Sequence, residues 1–248
     1  MRTYNATGIT LAVHKYGDTG RVATFLTEEH GKVEAAARGV GKPGSKLAAA
    51  VEPLTVSKLQ FAQGRGLDRL AQAEVMEAYL PLRHDLQGLA HASYLLELTD
   101  LLTEPGDPVP GLLGDLTAAL AAIVAGDDAE LLAQAFTLRL FARQGMAPEL
   151  RECLECGGPL EGEAGYVPAQ GGFVCRRCTP GTQGRLTVSG QSLGALRALL
   201  TMPLSHVRRL SLTPAARREM GRVIQAHTDY HVGEQLKSRK FLDKLHRA

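Results

Sequence analysis

Over the first 80 positions apolar and polar residues alternate in short runs broken by turn residues. Thr3 to His14 is extended and apolar-rich, and Val22 to Leu26 reads as a second strand. Glu28-Glu29-His30-Gly31 makes a tight turn into Lys32 to Ala37. Leu54 to Phe61 and Leu67 to Ala73 alternate as strands, with Gln63-Gly64-Arg65-Gly66 as a hairpin turn between them. Five short strands in about 75 residues fit a small closed barrel. An OB-type barrel and an SH3-like barrel give nearly the same pattern, so periodicity does not choose between them.

From about residue 81 the period changes to that of helices. Tyr94, Leu95, Leu98, Leu101 and Leu102 form a 3.6-residue stripe within Ser93 to Leu102. Leu112 to Val124 and Asp128 to Gln144 continue it, with Asp127 or Asp128 as N-cap and Gly145 and Pro148 as the stop. Residues 151–180 are rich in Cys, Gly and Pro. Helices then resume. Ser189 can cap Gln191 to Leu200, Thr213-Pro214 pairs a capping hydroxyl with a first-turn proline, and a last segment covers Gln235 to Leu245. The expected fold is therefore α+β. Residues 1–80 form a small five-stranded barrel, 81–150 and 181–248 a helical domain, and 151–180 an inserted lobe.

Charge sharpens this outline. The formal net charge of the 248 residues is only +2, but it is unevenly spread. Residues 1–80 carry 10 basic and 8 acidic side chains, residues 81–199 carry 8 and 14, and residues 200–248 carry 10 and 4. That asymmetry suits a polyanion held at some faces and repelled at others, although a solvated Arg-rich helix gives the same counts. Neither a signal peptide nor a membrane span is visible, since Leu112 to Ala125 is interrupted by Gly114, Asp115 and Thr117. A cytoplasmic protein follows, with no membrane partner and no small-molecule substrate expected.

All four cysteines fall in the lobe, as Cys153-x2-Cys156-x18-Cys175-x2-Cys178. Two CxxC knuckles can give one ion four thiolates in a tetrahedron, and this spacing lies in the zinc-ribbon range. Two CxxC disulfides or an iron–sulfur site are the alternatives. Four thiolates leave no open position, so a zinc ion here staples the lobe and activates no water. His227 and His231 stand four apart on a helix, but no third ligand accompanies them, and a surface or core pair is expected.

A second segment, Arg38-Gly39-Val40-Gly41-Lys42-Pro43-Gly44-Ser45-Lys46, contains a formal GxGxxG. It fails the dinucleotide pattern, which needs an acid about 20 positions on, and it fails the Walker pattern because Ser45 precedes Lys46. What remains is a loop with three cations and no acid, suited to tracking phosphates, although an ordinary mobile loop reads the same way. Stacking residues are scarce: aromatics are 5% of the chain, and Tyr4, Tyr16, Phe25 and Phe61 are expected mostly to fill the barrel. Backbone binding with little sequence preference is the expectation. No catalytic constellation appears, so no enzyme activity is expected.

The order of these features resembles the RecO family of bacterial recombination mediators. Thr27 and Gly31-Lys32 match a "T-x-x-x-G-K" turn, and Arg38-Gly39, Lys42 and Ser45-Lys46 follow its "A-K-G-A-R-K-x-x-S-K" run, with Arg38-Gly39 in place of Lys-Gly. Tyr230 to Leu242 looks like the family's "Y-x-x-x-x-L-x-x-K-S-x-x-F/V-L" ending with slightly shifted spacing. The resemblance covers nearly the whole chain and implies an OB-fold, a helical domain and a zinc lobe. It also implies a nucleoid-associated protein that binds single- and double-stranded DNA and anneals strands. Partnership with RecR, contact with the acidic tail of single-stranded DNA-binding protein (SSB) and help in loading RecA are implied as well. Lys32, Arg38, Lys42 and Lys46 in the barrel, and Arg208, Arg209, Arg217 and Arg218 near the C-terminus, are the candidate DNA contacts. Arg139 and Arg143, spaced i,i+4, are candidates for the acidic tail. A zinc-ribbon scaffold that binds proteins or RNA is the alternative function.

Overall fold

The alternation of the first 80 residues closes on itself. In the computed structural model, which describes residues 2–179, 184–233 and 236–245, the chain packs as two compact units. The first joins residues up to 125 with those from 237 onward. Its barrel is built from β1 (Thr3–Tyr16), β2 (Gly20–Thr27), β3 (Gly31–Ala37), β4 (Val56–Ala62) and β5 (Asp68–Glu77). The order β1-β2-β3-β5-β4, closed by β4 on β1 with β5 parallel to β3, is the OB topology, which settles the choice the periodicity left open. Side chains at alternate positions point inward: Ala23 and Phe25 from β2, Val33, Ala35 and Ala37 from β3, Leu59 and Phe61 from β4. Phe25 and Phe61 are fully buried and meet edge to face at 5.6 Å. Truncating either to Ala should cost about 3–5 kcal/mol.

Leu54, expected inside a strand, lies outside it with φ 69°. The chain turns there from the short turn Ala49–Val51, and the Leu54 N–H donates to Thr10 O at 3.1 Å before β4 begins. α1 (Leu86–Leu102) packs against β1 of the barrel, and α2 (Leu112–Val124) and α6 (Lys237–Leu245) pack against α1. α1 begins seven residues before the apolar stripe, because the Asp85 carboxylate accepts from the Gln87 N–H at 3.1 Å and caps a first turn that holds Gly88 and no stripe. Gln235, read as the start of the last segment, lies outside the described residues.

The second unit, residues 126–236, contains α3 (Ala129–Arg143), a three-stranded sheet ordered β7-β6-β8, and helices α4 (Gly190–Thr201) and α5 (Pro214–Val232). The sheet strands are β6 (Ala164–Val167), β7 (Gly172–Cys175) and β8 (Leu186–Val188). The expected caps are present. Asp128 accepts from the Leu131 N–H, Ser189 from the Ser192 N–H and Thr213 from the Ala216 N–H. Glu219 of α5 accepts from the Ser189 N–H and from the Ser189 and Ser192 hydroxyls, which ties the start of α4 to α5.

Candidate metal centre and nucleic-acid interface

Two knuckles bring the four cysteines together. After Cys153 the chain folds back so that the Gly157 N–H donates to Cys153 O and the Cys153 N–H to Gly158 O, both at 2.8 Å. Gly157 takes φ 67°, a conformation glycine adopts without strain. Cys175 ends β7, and the Cys178 N–H closes the second knuckle on Cys175 O at 3.0 Å. One ligand atom from each of the four lies within 4.8 Å of the others, so these residues can hold a metal ion. No two are joined as a disulfide.

Backbone donors aim at the sulfurs. The Cys175 N–H reaches Cys153 Sγ at 3.2 Å. Burial opposes ionisation of Cys153, but the N–H groups of Cys175, Cys156 and Glu155 outweigh it and hold the thiol below its ordinary value. The Cys178 N–H, first among several donors, brings Cys175 down to about 6. Cys178, engaged first by the Cys175 side chain, is pushed up to about 12. Four thiols packed this closely cannot all ionise by themselves; a divalent cation supplies the charge that lets them. The donor set therefore fits a soft-ligand ion. The lobe is anchored by Arg197 of α4, whose guanidinium donates to Leu150 O and Leu160 O at 2.8 Å each.

The basic loop leaves β3 at the barrel rim. Turns from Lys42 N–H to Gly39 O, Ser45 N–H to Lys42 O and Ala48 N–H to Ser45 O shape it, and the Gly41 N–H ties it to Thr19 O at 2.9 Å. Val40 is buried as an apolar peg, while Arg38, Lys42 and Lys46 are exposed. Among the described residues no acid pairs with any of the three.

The other predicted cations divide. Lys32 is turned inward: its ammonium donates to Asp100 O at 2.6 Å and sits 3.3 Å from the Asp100 carboxylate, with the side chain only 12% exposed. Arg217 is held by Asp128 at 2.5 Å and by Glu130 at 3.1 Å. That contact raises its pKa further, the Asp128 hydrogen bond being the main cause. Arg208 and Arg209, on the turn Leu204–Arg209, and Arg218 of α5 are exposed. Arg139 donates to Leu199 O at 3.2 Å, and Arg143 is exposed one turn on.

Some of the contacts that matter most to this architecture were not readable from any motif. Glu97 of α1 accepts from the N–H groups of Lys237 and Ser238 and from the Ser238 hydroxyl, capping α6 from outside its own sequence. His227, expected as a surface or core residue, is core: it is 1% exposed, and its Nε2–H donates to Met146 O at 2.8 Å. Its Nδ1 then accepts from the Tyr166 hydroxyl at 2.6 Å. Only tertiary contact reveals these partners, 81 and 61 residues apart in the chain.

Comparison with known proteins adds a family to this geometry. The family model described as "Recombination protein O N terminal" matches residues 1–79, and that described as "Recombination protein O C terminal" matches residues 83–240. The chain is 35% identical over 248 residues to the DNA repair protein RecO of Pelotomaculum thermopropionicum, covering 100% of this chain and 96% of that one. It is 36% identical over 245 residues to the RecO of Moorella thermoacetica, with 98% and 91% covered. For the RecO of Bacillus subtilis the figures are 31% over 238 residues, with 96% and 93% covered.

Proposed function

Because the chain belongs to the RecO family of DNA repair proteins, we propose that it binds single- and double-stranded DNA through the phosphate backbone. On this reading it promotes strand annealing and, with RecR, helps load RecA onto DNA coated by SSB, whose acidic tail it contacts. It acts at the nucleoid and without catalysing a covalent step. The observation that carries the reading is the loop of Arg38, Lys42 and Lys46, three exposed cations with no acidic partner among the described residues at an OB-barrel rim. Phosphates would replace the counterions of such a loop, and releasing those ions drives the binding.

Zinc is the ion proposed for the four cysteines, because four thiolates in this spacing suit its tetrahedral preference. In that role it stabilises the lobe's fold and leaves no ligand position for substrate. Arg208, Arg209 and Arg218 are proposed to hold a second strand, since annealing must overcome repulsion between two polyanions. Lys32 and Arg217 are assigned a positioning role, given their carboxylate partners.

The test is charge reversal. Replacing Arg38, Lys42 and Lys46 together by Glu should weaken binding to every DNA sequence by at least about 100-fold at physiological salt, because the phosphates at this loop would meet repulsion in place of neutralisation. Replacing Arg208 and Arg209 by Glu should slow annealing more than it weakens binding of one short strand. Unchanged binding after the first triple replacement places the interface elsewhere.

A further inference from the structure

Residues 1–80 hold five aromatic side chains, and four of them are occupied within the fold. Phe25 and Phe61 are fully buried and Tyr79 is 7% exposed. Tyr4 is half-buried, with its hydroxyl bonded to Asp68 and its ring 4.6 Å from His30 and 5.2 Å from Phe61. Tyr16 is different. At the end of β1, just before the turn at Gly17, it is 52% exposed. Past the bulge between Thr10 and Ala12 the inward position is Val13, opposite Ala23 of the core, so Tyr16 falls in the outward phase of β1 and its ring stands in water.

Tyr16 forms one wall of a cleft of about 250 Å³. Arg38, Arg69, Ala36 and Ala62 also line it. The register explains the grouping. Arg69 pairs with Ala36 where β5 runs parallel to β3, and Arg38 follows Ala36 by two positions. Both arginines are exposed, and among the described residues neither has a carboxylate partner. The one acid lining the cleft, Asp68, accepts from the Tyr4 hydroxyl and from the Gly64 N–H. The cleft is thus lined by one exposed aromatic ring, two arginines, Leu67, Asp68 and small residues. It is below the usual size of a site for a whole ligand, about 300–1,000 Å³, and suits one flat ring.

We propose that this cleft is a single-nucleotide subsite for unpaired DNA, in which the Tyr16 ring stacks on the base while Arg38 and Arg69 hold the flanking phosphates. The inference rests on the DNA-binding reading above and deepens it. A base inside a duplex has both faces covered by its neighbours, so only a strand free of its complement can offer one to Tyr16. Stacking accepts any base, because every base has a π-face. Loop cations serve single and double strands alike, whereas this cleft distinguishes them.

The chain contains no tryptophan, which makes a direct test available. In a Tyr16→Trp variant the only indole emission comes from the cleft. Adding a short oligothymidine should quench it, and adding a blunt duplex should not. Tyr16→Ala should weaken oligothymidine binding about 5- to 150-fold, the loss of one base–aromatic stack. Its duplex affinity and the salt dependence of single-strand binding should not change. Arg69→Ala should make single-strand binding less salt-dependent, and Tyr16→Phe should bind as the wild type does. Indole emission unaffected by bound oligothymidine would overturn the proposal. So would a Tyr16→Ala protein that binds oligothymidine as tightly as wild type, or a Tyr16→Phe protein as weak as Tyr16→Ala. If wild type binds neither DNA form, the broader reading falls first and takes the subsite with it.

Discussion

Burial decides the protonation state of His227. Desolvation, with a smaller push from His231 and against the Met146 hydrogen bond, lowers its pKa from 6.5 to about 4. The ring is therefore neutral in the folded protein at pH 7 and accepts the Tyr166 hydroxyl proton at Nδ1. The unfolded chain binds a proton near pH 6.5 and the folded chain does not. Stability from this residue is complete above pH 6.5 and is lost as the pH falls from 6.5 to 4, by at most about 3 kcal/mol. Melting curves between pH 7 and 4.5 should show wild type losing stability more steeply than a His227→Gln variant; equal slopes would remove His227 as the source. Gly31 carries a different constraint. At φ 63° its missing Cβ leaves room for the backbone of Asp107, and the Gly106 N–H donates to Lys32 O at 2.9 Å beside it. The Gly31-Lys32 pair thus docks the α1–α2 connection on the barrel. That explains why a candidate DNA contact at Lys32 is nearly buried, which sequence gives no means to see.

Helices and strands were legible to different depths. Period-2 alternation and the turn residues located all five barrel strands, but strand order, and with it the OB topology, depends on pairings between distant residues such as Ala36 and Arg69. Caps written in adjacent residues, at Asp128, Ser189 and Thr213, could be read directly. The cap of α6 could not, because its acceptor, Glu97, lies 140 positions away. Glu97→Ala should free two backbone donors and the Ser238 hydroxyl, costing about 1–2 kcal/mol. Amides of Lys237–Leu245 should then exchange with solvent faster while those of the barrel strands keep their protection. Equal protection of α6 in both proteins would show that Glu97 does not hold it. The Cys lobe was the most legible element, since ligand type and spacing are local. Purified protein should carry about one zinc per chain. Cys156→Ser should lose that zinc and lower solubility and melting temperature more than DNA affinity, because the ion's binding energy is folding energy of the lobe. Metal-free protein with four titratable thiols and an unchanged melting temperature would contradict the assignment.

On the scale of the whole chain, a net charge of +2 conceals how its cations are used. Arg217 is matched by Asp128 and Glu130, and Lys32 by Asp100, so both are engaged by carboxylates of their own unit. Arg38, Lys42 and Lys46 in one unit and Arg208, Arg209 and Arg218 in the other remain exposed. Counting charges along the sequence finds both kinds equally well; only the carboxylate beside each cation separates them. If the exposed barrel loop neutralises DNA phosphates, its binding has a numerical signature. For duplex binding, every phosphate left without its cation should reduce the slope of log affinity against log salt by about 0.9. The decisive measurement is that slope for duplex DNA, in wild type and in a protein with Arg38, Lys42 and Lys46 all changed to Ala. Wild type should show a steep slope that becomes shallower by about 2–3 in the variant. Identical slopes in the two proteins, or wild-type binding indifferent to salt, would contradict it.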